Sequence, residues 1–237
     1  MPNWVYNTLT VEGNPDSVKK LKKQVNKKFT KMHDQWNMST QQMEQVQYVY
    51  SKPIFAFHNI FNHTQDGVPD EVYNSQPNHK SGDSFVEMFK GSDWYSWNVR
   101  NWGTKWDVAV SDDEEYPDTE LLEDYKNGEN KVLVYRFNTA WSPAFPAIEK
   151  LSKQYPDLLF TLNYEEETGW GGECEFLRGK EISSSEYGWQ CRECDHTEDD
   201  TPYCETCEFD MCPECGYGEP MDEDRAKCET HREEVNV

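Results

Sequence analysis

The stretch Lys131–Tyr164, KVLVYRFNTAWSPAFPAIEKLSKQYPDLLFTLNY, decides the fold. Its first part, Lys131–Asn138, is rich in valine and aromatics and predicts a strand. Ala140-Trp141-Ser142-Pro143-Ala144-Phe145-Pro146 follows and launches a helix whose buried face carries Ile148, Leu151 and Tyr155. Pro156-Asp157 stops that helix, and Leu159–Tyr164 reads as a second strand.

Strand, helix, strand also describes the start of the chain. In Trp4–Val11 the residues Val5, Leu9 and Val11 recur with the period of a half-buried strand. Gly13-Asn14-Pro15 then turns into a helix, with Asn14 as N-cap and Pro15 at the first helical position. Val18, Leu21 and Val25 share one side of this helix, and its lysines lie on the others. Lys105–Val110 is expected to supply the matching strand, with Trp106, Val108 and Val110 on one face. Gly172–Leu177 predicts a last strand, in which Cys174 and Phe176 point one way and Glu173 and Glu175 the other. Cys174 is then a buried apolar residue, and its glutamate neighbours argue against a nucleophilic thiolate. Compressed, the order is βαβ followed by βαβ. That is the pattern of an α+β ferredoxin-like sandwich, an antiparallel sheet with helices on one face.

An insertion at about residues 30–92 interrupts the first unit. Within it, Met43, Val46 and Tyr50 have helical spacing over Ser39–Tyr50, Pro53 ends that segment, and Asn62–Asp83 reads as a long loop. His58 and His63 are expected to be structural. Asp93–Asp107, DWYSWNVRNWGTKWD, carries four tryptophans that are costly to leave exposed. Trp94, Trp97 and Asn101 have helical spacing, and Gly103 is a helix stop. Asn101, Trp102, Lys105 and Asp107 are candidate binding residues: with Thr104, the polar ones form either a site floored by tryptophans or a set of turn closures. Asp112–Gly128 is read as an acidic connector in which Leu121, Leu122 and Tyr125 dock a short helix.

The chain divides at the polar run Ser183-Ser184-Ser185, giving a main domain over residues 1–182 and a tail over 186–237. Seven of the eight cysteines lie in that tail, as Cys191-x-x-Cys194, Cys204-x-x-Cys207, Cys212-x-x-Cys215 and Cys228-x-x-His231. Two intervening residues let one turn present both ligands to one ion, and thiolate with imidazole is the set that zinc prefers. Four such pairs suffice for two structural zinc ions, and spacing alone leaves open which pairs share an ion. The tail has too few aliphatic side chains for a core, so metal must replace one, at roughly 10 kcal/mol or more of folding free energy per site.

The formal net charge is -22, with acids crowded over Asp107–Glu129 and the tail, and lysines over Lys19–Lys31. Such a chain repels phosphate backbones, which makes nucleic acid an unfavoured partner and a basic protein surface a favoured one. No apolar run approaches the roughly 20 residues of a membrane span, and the first residues lack the features of a signal peptide. A cytoplasmic protein with reduced cysteines is expected.

Three motifs carry a resemblance. The opening N-W-V-Y-N-x-L-x-V-x-G, the central W-N-V-R-N-W-G-T-K-W-D, and F-N-T-A-W-S-P-A-F-P with the later Y-P-D-L-L-F together resemble the YubB ferredoxin-like family of phages and plasmids. The resemblance spans about residues 1–180 and implies the fold and a mobile-element origin, with no catalytic residues to carry over. In the tail, Tyr203-Cys204-x-x-Cys207-Glu208-Phe209-Asp210-Met211-Cys212-x-x-Cys215 resembles a ZZ-type zinc finger. That likeness implies crossed pairing: Cys191, Cys194, Cys212 and Cys215 on one ion, and Cys204, Cys207, Cys228 and His231 on the other. The sequence departs from the ZZ pattern in a shorter loop before Cys212 and in a Cys-His last pair. ZZ fingers often hold the cationic N-terminus of a partner. Asp210 matches the acid of that motif and Glu208 stands near a second, whereas Arg192 replaces an acid found in such readers. Filled ligand sets are structural rather than catalytic.

The expected function is that of a non-enzymatic accessory protein that binds a host or mobile-element protein. Two alternatives stand beside it: an enzyme with a pocket at residues 101–107, and a nucleic-acid binder using the lysines of residues 19–31.

Overall fold

A computed structural model of the chain describes residues 3–77, 89–108, 119–167 and 169–190, and three two-residue strands farther on. The main elements are β1 (Trp4–Gly13), α1 (Pro15–Val25), β2 (Phe29–Asn37), β3 (Gln42–Tyr50), α2 (Asp70–Tyr73), α3 (Trp94–Trp102), β4 (Glu120–Asn127), β5 (Asn130–Ala140), α4 (Phe145–Gln154), β6 (Leu158–Glu166), β7 (Gly171–Leu177) and β8 (Lys180–Tyr187). Two short pairs follow, β9 (Trp189–Gln190) with β10 (Thr197–Glu198), and β11 (Tyr203–Cys204) with β12 (Phe209–Asp210).

The main sheet runs β4-β5-β1-β6-β7-β8, and every neighbouring pair is antiparallel. β1 and β4 therefore run the same way with β5 between them, and β5 and β6 run the same way with β1 between them. These are two interleaved split βαβ units, which is the ferredoxin-like arrangement. The register puts one apolar row inside. Leu9 faces both Tyr135 and Leu162, and Val11 faces both Leu133 and Phe160. Leu162 and Phe160 in turn face Cys174 and Phe176. Val18, Leu21 and Val25 of α1, with Ala147, Ile148 and Leu151 of α4, close over that row, and all are buried. Asn14 caps α1 by accepting from the Asp16 and Ser17 N–H groups, a contribution of about 1 kcal/mol.

Several local expectations are corrected. Residues 39–50 form no helix: β3 pairs with β2 from Phe29↔Tyr50 to Asn37↔Gln42, in a two-stranded arm outside the main sheet. Val46, Tyr48 and Tyr50 also fall on one side of a strand, and a β-rich partner segment decides between the two periods. Leu121, Leu122 and Tyr125 lie in β4, not in a docked helix. Asn127-Gly128-Glu129-Asn130 turns that strand into β5, with Gly128 at a left-handed φ of 62°, so the Asn-Gly pair was the signal that the acidic reading hid. Residues 105–108 form no strand; residues 109 and 110 lie outside the described part. Ser183–Ser185, expected to be a break, sit inside β8 opposite Glu175 and Glu173. There the polar side chains suit an edge strand whose residues are exposed.

Candidate functional site

α3 starts at Asp93, whose carboxylate accepts from the Ser96 N–H at 3.1 Å and the Ser96 hydroxyl at 2.8 Å. It ends at Gly103, with φ 84° and an N–H donating to the Val99 carbonyl. A methyl group there would strike Pro146 and the Pro143 carbonyl, so glycine is required for the close approach as well as for the turn.

Three of the four candidate residues in this region face inward. Asn101 donates to the Trp97 carbonyl at 3.1 Å, and Trp102 donates its indole N–H to the Phe61 carbonyl at 2.8 Å. Trp102 is buried against Trp97 and Phe57. The Asp107 carboxylate accepts from the backbone N–H groups of Phe57 at 2.7 Å, His58 at 3.0 Å and Val108 at 2.9 Å. Burial pushes Asp107 up to about 6, against the pull of those N–H groups and of Lys31. The adjacent Thr104 hydroxyl donates to the Ala140 carbonyl and accepts from the Ala140 N–H. The segment thus sews the insertion to β5; its polar atoms are engaged with backbone, not presented to a substrate.

Lys105 differs. Its Nζ lies 4.3 Å from the Trp106 ring centre, 4.9 Å from Trp141, 5.9 Å from Tyr95 and 6.0 Å from Trp94. Desolvation by these rings lowers its pKa. Trp106 and Trp141 nevertheless keep 38% and 44% of their surface exposed.

Two surfaces went unnoticed in the sequence. The first is the far side of the main sheet, away from the helices. A shallow depression of about 260 Å³ there is lined by Tyr6, Thr8, Asn163, Glu165, Glu173 and Tyr187, among others. Two carboxylates between two phenols favour a cation and repel phosphate. Gly171 permits it, because a Cβ at that position would collide with the Tyr187 ring. The second is the β2–β3 arm, which exposes Trp36 at 51%, Met38 at 82% and Met43 at 57%. Trp36 and Met43 are directly paired across it. Strand alternation would have revealed the arm had β3 been read as a strand, whereas the depression is built from β1, β6, β7 and β8 and needs those strands paired in space.

His58 and His63 are structural. His58 stacks on Phe29 at 4.3 Å, and His63 stacks on Tyr73 at 3.9 Å and bonds Asp70 at 2.8 Å. Cys174 is buried, and its thiol is pushed up to about 12, chiefly by burial and then by Glu181. In α1, Lys22 pairs with Asp124 at 2.7 Å. No described helix is long and apolar enough to cross a membrane.

Of the tail residues, Cys191, Cys194, Cys207, Glu208, Cys212, Cys215, Cys228 and His231 lie outside the described part. Cys204 and Asp210 fall in β11 and β12, where Cys204 pairs with Phe209 and Tyr203 with Asp210. That backbone pairing lays residues 203–204 and 209–210 side by side.

A family model described as the ferredoxin-like domain in Api92-like protein matches residues 105–207. The match runs from Lys105 through β4–β8 into the first cysteine pairs of the tail. Among solved structures, the crystal structure of Api92 from Yersinia pseudotuberculosis is similar at 12% identity and a TM-score of 0.42, covering 81% of this chain and 100% of its own. No curated protein matches the chain.

Proposed function

We propose that this chain is a non-enzymatic accessory protein of a phage or plasmid that binds a protein partner with a basic surface. Its tail is a ZZ-like module held by two structural zinc ions. The observation that carries the reading is the β2–β3 arm. A lone two-stranded ribbon gains little stability in water, and this one holds a tryptophan and two methionines in solvent. Exposed apolar groups of that kind mark protein interaction sites, where Trp and Met are enriched. The net charge of -22 and the acid-lined far side of the sheet select a basic partner. The inward-turned Asn101, Trp102 and Asp107 leave the enzyme reading without a presented acid, base or nucleophile among them.

The test is affinity capture with three proteins: the intact chain, a version ending at Gly188, and Trp36→Ser/Met43→Ser. Truncation after Gly188 keeps β8 whole, which a cut within the serine run would not. A partner retained by the intact protein, lost by the arm variant and released by salt supports the reading. Retention of nothing above background, or equal retention by the arm variant, overturns it. Loss with the tail alone would assign recognition to the zinc module.

A further inference from the structure

Four ring systems from three places in the chain converge on one ammonium group. Trp94 and Tyr95 open α3, Trp106 follows it, and Trp141 comes directly after β5. Trp106 and Trp141 lie 6.5 Å apart at 28°, and Tyr95 meets Trp141 edge-on at 6.3 Å. We propose that this enclosure is a binding site for an alkylammonium cation, and that Lys105 is its resident occupant, swung out when an external cation enters.

The Lys105 ammonium is paired with no carboxylate among the described residues, in a chain with 45 acidic residues. It rests on ring faces alone. Indole and phenol faces attract cations through their quadrupole and offer no oxygen ligand, so they favour a poorly hydrated cation over a metal ion. A lysine ammonium is strongly hydrated and must shed water to sit there, whereas a methylated ammonium is not. The external group therefore has the advantage.

The backbone around the enclosure is held while the occupant is free to move. The Lys105 carbonyl accepts from Asn98 Nδ2 at 2.8 Å, so only the four-carbon side chain has to swing. The Trp141 N–H donates to the Asn3 carbonyl at 2.9 Å. Trp141 itself has a φ of 69°, a conformation that a bulky residue rarely adopts and that surrounding structure must impose. That strain aims a large ring, 44% exposed, at a cation, where burial in the core would otherwise be its natural use.

The experiment titrates the full-length protein and Lys105→Ser with tetramethylammonium, choline and a short trimethyllysine peptide, reading the indole NMR signals of Trp106 and Trp141. The neutral tert-butyl isostere of the trimethyllysine side chain is the control. Lys105→Ser is expected to bind tetramethylammonium ~10-fold more tightly than the unaltered protein, because the competing occupant is gone. Adding Trp141→Ala should abolish that gain, and the isostere should not bind. Tighter binding of the peptide than of choline identifies a protein side chain as the source; the reverse identifies a small metabolite. Equal affinities for Lys105→Ser and the unaltered protein, or equal binding of the isostere, overturn the proposal. A second reading uses the unaltered protein: after reductive methylation with a carbon-13 label, the Lys105 methyl signal should be shifted upfield by the rings. A Lys105 signal at the position of the solvent-exposed lysines would also overturn it. Neither reading depends on the β2–β3 arm, so this proposal and the protein-binding one fail separately.

Discussion

Trp141 pays for its position in backbone strain, and the amount is measurable. Trp141→Ala and Trp141→Gly remove the same ring, but only glycine is at ease at a φ of 69°. The glycine variant should exceed the alanine variant in stability by about 1 kcal/mol, read as a difference in denaturant midpoint at equal slope. Thr104 offers a second residue-scale test. Its hydroxyl satisfies both the N–H and the carbonyl of Ala140 in a buried position. Thr104→Val keeps the shape and leaves both groups unpaired, a loss of about 2 kcal/mol. The sequence made Asn101, Trp102 and Asp107 conspicuous without saying which way they point. For Trp102 and Asp107 that direction depends on the Phe61, Phe57 and His58 backbone, which comes from a distant loop that local patterning does not place.

At the scale of elements, one stitch joins the insertion to the segment after α3, and it titrates. Burial, then Lys31 and His63, lowers His58 from 6.5 to about 4. Its unfolded form binds a proton first, so this group's contribution is present above pH 6.5 and lost as pH falls through 4. Asp107 is raised from 3.8 to about 6. Its contribution has the opposite sense: present below pH 3.8 and lost as pH rises through 6. Each shift corresponds to about 3 kcal/mol, so the two should nearly cancel between pH 4 and 6. Asp107→Asn should expose the histidine slope, with stability rising over that range. His58→Phe should expose the aspartate slope, with stability falling. Urea unfolding at several pH values reads both. Strands β1, β5, β6 and β7 and helices α1 and α4 were legible because each buries one apolar stripe of the expected period. β3 and β4 were not, because Val46 and Tyr50 satisfy two periods and because β4 is an edge strand with no fully buried residue. β8 was missed for the same reason, its serines and glutamates carrying no burial signal.

At the scale of the molecule, charge and metal set the remaining expectations. If the tail is held by two zinc ions, metal analysis of the purified chain should give about two per molecule, and Cys204→Ser should give about one. A chelator should then remove the tail's signals and leave those of the main sheet, since β1 to β8 draw their core from Leu9, Val11, Leu133, Phe160 and their neighbours rather than from metal. Complexes with a basic partner should weaken steeply as salt rises, in association rate more than in dissociation rate. The ferredoxin-like arrangement was readable from the repeated βαβ order, whereas the arm and the acid-lined depression emerge only once strands are paired in space.

The central place of β1 has a consequence in time. Its two neighbours are β5 and β6, so Leu9 waits for Tyr135 and Leu162 before it is covered on either side. A ribosome making this chain delivers the middle strand of the sheet first and its flanks last, with the whole insertion between. In the later run, α4 links β5 to β6 and tight turns link β6 to β8, so these strands can assemble among themselves, leaving a slot between β5 and β6. Folding should therefore end, not begin, with the N-terminus, at the slow rate that long-range strand pairing imposes. Until then an apolar strand with two open edges is available to chaperones or to another nascent chain.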